Sequence, residues 1–138
     1  MQYLLDTNII SELRKSPNRQ DPNVRKWALQ TDWKNSALSA ITVEEIAICI
    51  IQRETKDPAA AKILDGWLKD FILTEFSDRT LPVDWQVALK AASLHFPKNR
   101  PIRDAYIAAT ALVHNLTLVT RNVKDFDIPD LRVLNPFV

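Results

Sequence analysis

The stretch YLLDTNIISEL, residues 3–13, determines the fold class of this chain. Its first three residues are an apolar run that is too short for a helix, and the run ends at Asp6. Ile9, Ile10 and Leu13 then recur at helical spacing, so the stretch predicts a buried strand followed by a helix. A strand that leads directly into a helix is typical of a βαβ unit and therefore of a parallel sheet.

The same alternation continues along the chain. Short apolar runs predict further strands at 37–41, 81–83, 116–119 and 132–134. Helical spacing and Asp-Pro or Asp N-cap signals predict helices over 22–31, 42–55, 58–75, 85–96 and 104–113. The pattern predicts a single domain over residues 1–138, with a mostly parallel sheet of four to five short strands and helices on both faces.

The helix at 85–96 is expected to bury one apolar stripe. Trp85, Ala88, Leu89, Ala92 and Phe96 share a face at helical spacing, and we expect this face to lie against the sheet. The tryptophan at position 85 is accordingly predicted to be part of the core.

Composition narrows the chemistry available to the chain. It has 138 residues, one glycine, one cysteine and two histidines, and its net charge is +1. A P-loop or a dinucleotide-binding loop needs several glycines to bring backbone N–H groups against phosphate, so both are excluded. With cysteine and histidine this scarce, any metal site must use carboxylates. No leader or membrane-spanning run is present, which predicts a cytoplasmic protein.

Four acidic residues are candidates for one site, because a parallel sheet binds its ligands beyond the carboxyl ends of its strands. Asp6 ends the first strand, Glu45 lies in the first turn after the second strand, Asp104 opens the helix at 104–113, and Asp125 follows the strand at 116–119. If these ends converge, the four carboxylates meet in one place. Such a cluster is unfavourable alone and becomes favourable when a hard cation binds the oxygens, which selects Mg²⁺ or Mn²⁺. Helix capping is the alternative explanation. Asp6 and Asp104 are both placed to be N-caps, and Glu45 matches the third position of a capping box that starts at Thr42.

Four stretches resemble the motifs of PIN-domain ribonucleases, in particular the VapC-type toxins of bacterial toxin–antitoxin pairs. They occur in the family's order, at 3–13, 39–46 (SAITVEEI), 103–111 (RDAYIAATA) and 118–126 (LVTRNVKDF), and span nearly the whole chain. The resemblance implies a PIN-like three-layer α/β/α fold. Carried over by position, it makes Asp6, Glu45 and Asp104 metal-binding acids, with Asp125 as a further acid and Glu44 as the competitor of Glu45.

The resemblance also assigns polar neighbours to the acids. Thr7 and Ser39 are the hydroxyls expected beside them, and Thr120 begins the fourth motif. Asn122 stands where many relatives have an aspartate, so the fourth carboxylate is expected from Asp125 alone.

The function implied is hydrolysis of RNA phosphodiester bonds with Mg²⁺ or Mn²⁺. A small VapB-like antitoxin is implied as inhibitor, as are a homodimer and a toxin–antitoxin hetero-oligomer. RNA affinity needs basic side chains near the site, because phosphate contacts dominate it. The candidates that flank the motifs are Arg14, Arg100, Arg103, Arg121 and Lys124.

Other classes share part of this pattern. A haloacid-dehalogenase-like phosphatase also begins with a strand and an aspartate, but its second acid comes two residues later, where this chain has Asn8. A PIN-like module without catalytic acids would only bind RNA or protein, and a receiver-like signalling domain would have paired aspartates after an early strand. The joint presence of all four acids favours the nuclease.

Overall fold

Five parallel strands form one sheet in the order β3-β2-β1-β4-β5 in a computed structural model that describes residues 1–138. The strands are β1 (Tyr3–Leu5), β2 (Ser36–Ser39), β3 (Thr80–Leu81), β4 (Thr117–Val119) and β5 (Val133–Leu134). The central strand β1 pairs with β2 on one side and with β4 on the other. The predicted parallel sheet is confirmed, and strand order reverses at β1, where such sheets bind their ligands.

Helices cover both faces of the sheet, as predicted. They are α1 (Thr7–Arg14), α2 (Pro22–Leu29), α3 (Ala40–Glu54), α4 (Pro58–Gly66), α5 (Leu73–Glu75), α6 (Trp85–His95) and α7 (Ile102–Val113). A π-helical segment, Trp67–Ile72, joins α4 to α5, so the helix predicted over 58–75 is continuous in space. No helix has the length and apolar character that crossing a bilayer requires.

Two hydrophobic cores lie on opposite faces of the sheet because neighbouring strand residues point in opposite directions. Leu4 belongs to the core beneath α6 and α7, whereas Leu5 belongs to the core beneath α1, α3 and α4. Both leucines are fully buried. The chain therefore has the three-layer α/β/α architecture that its pattern and its motifs predict.

Two of the predicted helix starts are wrong in a way that bears on the acids. Helix α3 begins at Ala40 and is capped by Ser39, whose hydroxyl accepts a hydrogen bond from the Ile41 N–H at 3.0 Å. Glu45 therefore lies in the second turn and is not part of a capping box. Helix α7 begins at Ile102 after Pro101, so Asp104 lies inside its first turn and does not cap it.

The orientation predicted for helix 85–96 is also wrong. Val87, Ala91 and Leu94 are the buried residues of α6. Trp85 and Leu89 are instead 70% and 66% exposed, and the rest of the predicted inner stripe, namely Ala88, Ala92 and Phe96, is exposed as well. Helix α6 carries two apolar stripes, and the smaller side chains of Val87 and Ala91 occupy the space above the sheet.

Candidate active site

A polar cavity of about 530 Å³ lies at the carboxyl end of the sheet, beside the reversal point at β1. None of its ten lining residues is hydrophobic. They are Asp6, Thr7, Asn8, Ser11, Glu12, Arg14, Lys15, Glu45, Asp104 and Asn122. Three of the four predicted acids therefore share one cavity, and each comes from a different element of the fold.

Asp6 directly follows β1 and is only 6% exposed. Its Oδ1 accepts a hydrogen bond from the Thr7 N–H at 2.8 Å, so it does cap α1. Its Oδ2 accepts from the Thr120 hydroxyl at 2.8 Å and from the Asn8 amide at 3.2 Å. Burial raises the pKa of Asp6, and these hydrogen bonds offset only part of that effect. The capping and site interpretations of Asp6 are thus compatible, since its two oxygens have separate partners.

Thr7 links the first acid to the second. Its backbone N–H contacts Asp6, and its hydroxyl donates to Glu45 Oε1 at 2.6 Å. Burial raises the pKa of Glu45, the charge of Asp6 raises it further, and the Thr7 hydrogen bond lowers it. Glu44 is exposed and does not line the cavity. Position in the fold therefore favours Glu45 over its neighbour.

Asp104 faces the other two acids from the first turn of α7. Burial raises the pKa of its carboxyl from 3.8 to about 6, with further increases from the charges of Asp6, Asp125 and Glu45. No hydrogen bond offsets this effect, and only Arg103 lowers the pKa. Asp104 is therefore the acid whose negative charge is least compensated in this cavity.

The remaining predicted residues have more varied positions. Asp125 is exposed in a 3₁₀ helix, Val123–Phe126, outside the cavity lining, but its charge raises the pKa of both Asp6 and Asp104. Thr120 is buried and its hydroxyl accepts from the Asn122 N–H at 3.0 Å. Ser39 is fully buried and does not line the cavity, because its hydroxyl caps α3.

The acids suit a hard divalent cation in their chemistry, although they do not form a finished coordination shell. Mutually repelling carboxylates in a polar cavity are the donor set that Mg²⁺ or Mn²⁺ neutralises. As the side chains lie, no three acidic, histidine or cysteine groups are close enough together to hold a metal ion. Asp6 and Glu45 accept side-chain hydrogen bonds, whereas the Asp104 carboxylate accepts none.

The basic candidates divide into two groups. Arg14 lines the cavity, with its guanidinium 5.9 Å from the centroid of the Trp67 ring, and Arg103 Nε lies 3.9 Å from Glu45 Oε2. Arg103 is therefore next to a lining residue without lining the cavity itself, and the other three candidates also lie outside the lining. Arg100 donates to the carbonyls of Leu94 and Asp127, the Arg121 guanidinium lies over the Phe137 ring at 4.7 Å, and Lys124 is exposed.

Among the acidic and uncharged polar residues that line the cavity, three were not assigned to the site from the sequence: Asn8, Ser11 and Glu12. Asn8 donates to Thr120 Oγ1 at 3.2 Å and accepts from the Arg121 N–H at 3.1 Å, so it connects the first and fourth motifs. The lining residues of α1 follow helical spacing from Thr7 and from Asn8, on the side opposite to Ile9 and Ile10. That polar stripe was visible in the sequence once α1 was known to border a cavity.

Comparison with known proteins agrees with this geometry. The model of the PIN domain family matches residues 3–130. The chain is 36% identical over 143 residues to Toxin FitB of Neisseria gonorrhoeae, with 97% of each chain covered. It is 31% identical over 141 residues to VapC ribonuclease Y4jK of Sinorhizobium fredii, covering 97% of this chain and 96% of that protein. The crystal structure of FitAcB from Neisseria gonorrhoeae superposes with a TM-score of 0.85 at 34% identity, covering 99% of both chains. The chain therefore belongs to the PIN-domain family.

Proposed function

We propose that this protein is a divalent-metal-dependent ribonuclease, the toxin of a VapC-type toxin–antitoxin pair. The observation that carries the proposal is the cavity shared by Asp6, Glu45 and Asp104. Burial raises all three pKa values, and the charge of Asp6 raises those of Glu45 and Asp104 further. Structural ion pairs rarely leave three acids uncompensated, and perturbed acids in a cleft mark functional sites. Two relatives support the same assignment, since one is named a toxin and the other a ribonuclease.

Asp6, Glu45 and Asp104 are the residues that would hold Mg²⁺ or Mn²⁺, with Asp125 at the edge of the site. The bound cation would supply an activated water and neutralise charge on the scissile phosphate. Thr120 and Asn8 orient Asp6, and Thr7 orients Glu45. The cavity lining contains no histidine or cysteine, so it offers neither an imidazole base nor a thiolate nucleophile.

Substrate binding is assigned to the basic side chains at the cavity. Arg14 and Lys15 line the cavity and Arg103 lies beside Glu45, which supports a role for these three in phosphate binding. Arg121 and Lys124 are further candidates beyond the cavity. Arg100 contributes less in this proposal, because its guanidinium is already bonded to two carbonyl groups.

Inhibition is assigned to a small antitoxin of the VapB type. A second, partly apolar cavity of about 180 Å³ adjoins the acidic one and shares Thr7, Arg14 and Glu45 with it. Its apolar lining comes from Ile46, Ile50, Leu64 and Trp67. An antitoxin segment that lies along this groove would end at the acids and block access to them. The toxin released from such an antitoxin would act on RNA in the cytoplasm.

Cleavage of total cellular RNA by the purified full-length chain tests the proposal. We expect cleavage with Mg²⁺ or Mn²⁺, none with EDTA, and a loss of at least about 10³-fold in Glu45→Gln, since such acids position the reacting groups. Glu44→Gln is the matched control, because it makes the same change one residue away on an exposed side chain. Equal rates in the two variants would overturn the assignment of Glu45.

The second candidate is a PIN-like module that binds RNA or protein but does not cleave RNA. It is favoured by the absence of a ready coordination shell and by Arg103, which lies beside Glu45. RNA binding without cleavage in either metal would support it. The phosphatase alternative loses support, because the residue two positions after Asp6 is an amide that donates to Asp6 and cannot act as an acid.

A further inference from the structure

A further polar cavity of about 530 Å³ is lined by the connection between α1 and α2 and by the outer face of α2. We call it the α2 cavity. It is as large as the acidic cavity, but no carboxylate lines it. Arg25 and Lys26 are its charged residues, and Asn18, Gln20 and Gln30 supply side-chain amides. A cavity that offers cations and amide donors without an acid is suited to an anionic ligand.

The two basic side chains of the α2 cavity have no partner within the chain. Arg25 and Lys26 are exposed, and neither side chain takes part in an ion pair. Helix α2 is anchored by its other side, where Val24 is buried and the Trp27 ring packs edge-on against Tyr3 with 5.5 Å between centroids. The fold therefore does not use the charges of Arg25 and Lys26.

The segment that contains these residues concentrates positive charge in a chain that is nearly neutral. The stretch RKSPNRQDPNVRK, residues 14–26, holds five Lys or Arg and one acid, so its formal charge is +4 against +1 for the whole chain. The acid is Asp21, whose Oδ1 accepts hydrogen bonds from the N–H groups of Asn23 and Val24 at the start of α2. Such a local excess of one sign attracts a polyanion.

We propose that the α2 cavity is a second binding site for the RNA substrate. Arg25 and Lys26 contact backbone phosphates of a single strand whose other part occupies the acidic cavity. The proposal rests on the proposed ribonuclease function, since it assigns a further site to the same RNA. It makes Arg25 and Lys26 binding residues and gives them no part in the chemistry.

The two cavities are joined by a short connection that is held by hydrogen bonds. Lys15 lines the acidic cavity, and Gln20 lines the α2 cavity. The side-chain amide of Gln20 donates to the Lys15 carbonyl at 2.9 Å and to the Leu13 carbonyl at 3.1 Å. Glu12, which also lines the acidic cavity, accepts from the Asp21 N–H at 2.8 Å. These bonds keep the α2 cavity beside the acidic one, so one extended strand can reach both.

The lining of the α2 cavity favours phosphates over bases. No aromatic ring lines it, so it offers no surface on which a base could stack. Basic and amide side chains contact phosphate and sugar groups, which are the same in every nucleotide. We therefore expect this site to raise the affinity for longer strands without adding a sequence preference.

Fluorescence anisotropy on the full-length chain tests the proposal with two labelled oligouridylates in EDTA, which prevents metal-dependent cleavage. One RNA has about 4 nucleotides and the other about 16, a range that known single-strand binding sites cover. The double variant Arg25→Gln with Lys26→Gln should bind the long RNA about tenfold more weakly, since exposed charge contacts each contribute a few-fold. Its slope of log affinity against log salt should fall by about 1.4, the value for two phosphate contacts.

The affinity for the short RNA should change by less than about twofold in this variant, because a strand that is too short to span both sites gains nothing from the second. The double variant Lys56→Gln with Lys62→Gln is the matched control. It removes the same charge from exposed side chains that line neither cavity, so any weakening that the two variants share reflects net charge alone. Circular dichroism establishes that the variants are folded, and glutamine keeps the helix propensity of the residues it replaces.

Equal affinity for the long RNA in the two double variants would overturn the proposal. Equal weakening with both RNA lengths would also overturn it, because the α2 cavity would then bind an anion independently of the acidic cavity. Cleavage by the parent with Mg²⁺ is measured separately. A parent that shows the expected binding without cleavage would reject the nuclease and keep this binding site. A parent that cleaves RNA, with no effect of Arg25 and Lys26 on binding, would keep the nuclease and reject the site.

Discussion

The acidic cavity and the outer face of α6, formed by Trp85, Leu89 and Phe96, differ in chemistry but share an energetic property. In the cavity, uncompensated carboxylates repel one another, and their pKa values are raised. On the face, large apolar side chains are left in contact with water. Both arrangements are unfavourable in the isolated chain, because repelling charges and apolar groups in contact with water each cost free energy. A region that lowers the stability of the fold in this way is a candidate functional surface, because selection for stability alone would remove it.

The largest expected effect is on stability, and it distinguishes variants of buried residues of α6 from variants of its exposed residues. Val87 is fully buried, so Val87→Ala should lower the free energy of unfolding by about 2 kcal/mol. Trp85→Ala should change it by less than about 0.5 kcal/mol, because most of this side chain is exposed. Urea unfolding measures both. A large loss in the Trp85 variant would mean that this side chain belongs to the core, and the contrast between the two regions would fail.

Replacing Thr7 is expected to lower the activity of the protein although every acid of the cavity is kept. Thr7→Val removes the hydroxyl that holds Glu45, and kcat should fall about 10-fold with little change in KM, as for other residues that orient ligands. Thr7→Ser keeps the hydroxyl and should restore most of the rate. If the serine variant were as slow as the valine variant, the methyl group and its packing would matter rather than the hydrogen bond.

Because the charge of Asp104 is unfavourable in the fold, removing it should raise the stability of the protein over a defined pH range. Its folded-state pKa of about 6 exceeds the ordinary 3.8, so ionisation destabilises the fold above pH 6, and this effect disappears as pH falls toward 3.8. Asp104→Asn should therefore be more stable than the parent at pH 7.5 without divalent cations, by about 1 kcal/mol after allowance for solvent screening.

Thermal unfolding of both proteins at pH 7.5 and at pH 3.5 checks this prediction. The difference between them should become small at the lower pH, where Asp104 is protonated in the folded state and mostly protonated in the unfolded state. Added Mg²⁺ should stabilise the parent more than the variant, since a bound cation needs the ionised carboxylate. A variant that is less stable than the parent at pH 7.5 would show that the cavity is not strained by its charges.

The smallest expected effect is that of replacing Arg14, and it is an effect on RNA affinity. Arg14→Gln should weaken RNA binding a few-fold and reduce the slope of log affinity against log salt by about 0.7, the value for one phosphate contact to a single strand. Lys62→Gln is a control, since Lys62 is exposed on α4 and does not line the cavity. Fluorescence anisotropy at several salt concentrations measures both. An unchanged slope would assign Arg14 to packing against Trp67 alone.

The two regions also differ in how far the sequence predicted them. The strand-then-acid pattern placed Asp6 at the end of β1, and family resemblance separated Glu45 from Glu44. Ser39 was expected beside the acids, but local geometry places its hydroxyl on the first turn of α3. The α6 stripe was assigned inward because periodicity measures the spacing of apolar residues and not the side of the helix that meets the sheet.

The sequence by itself determined the alternation of strands and helices, the parallel sheet and the carboxylate character of the site, because periodicity and residue chemistry are local properties. Tertiary structure alone decided which acids share a cavity, that Asn8 joins the first and fourth motifs, and which stripe of α6 faces outward. These are relations between segments far apart in the chain. They depend on the space left after the two cores are packed, which no single segment encodes.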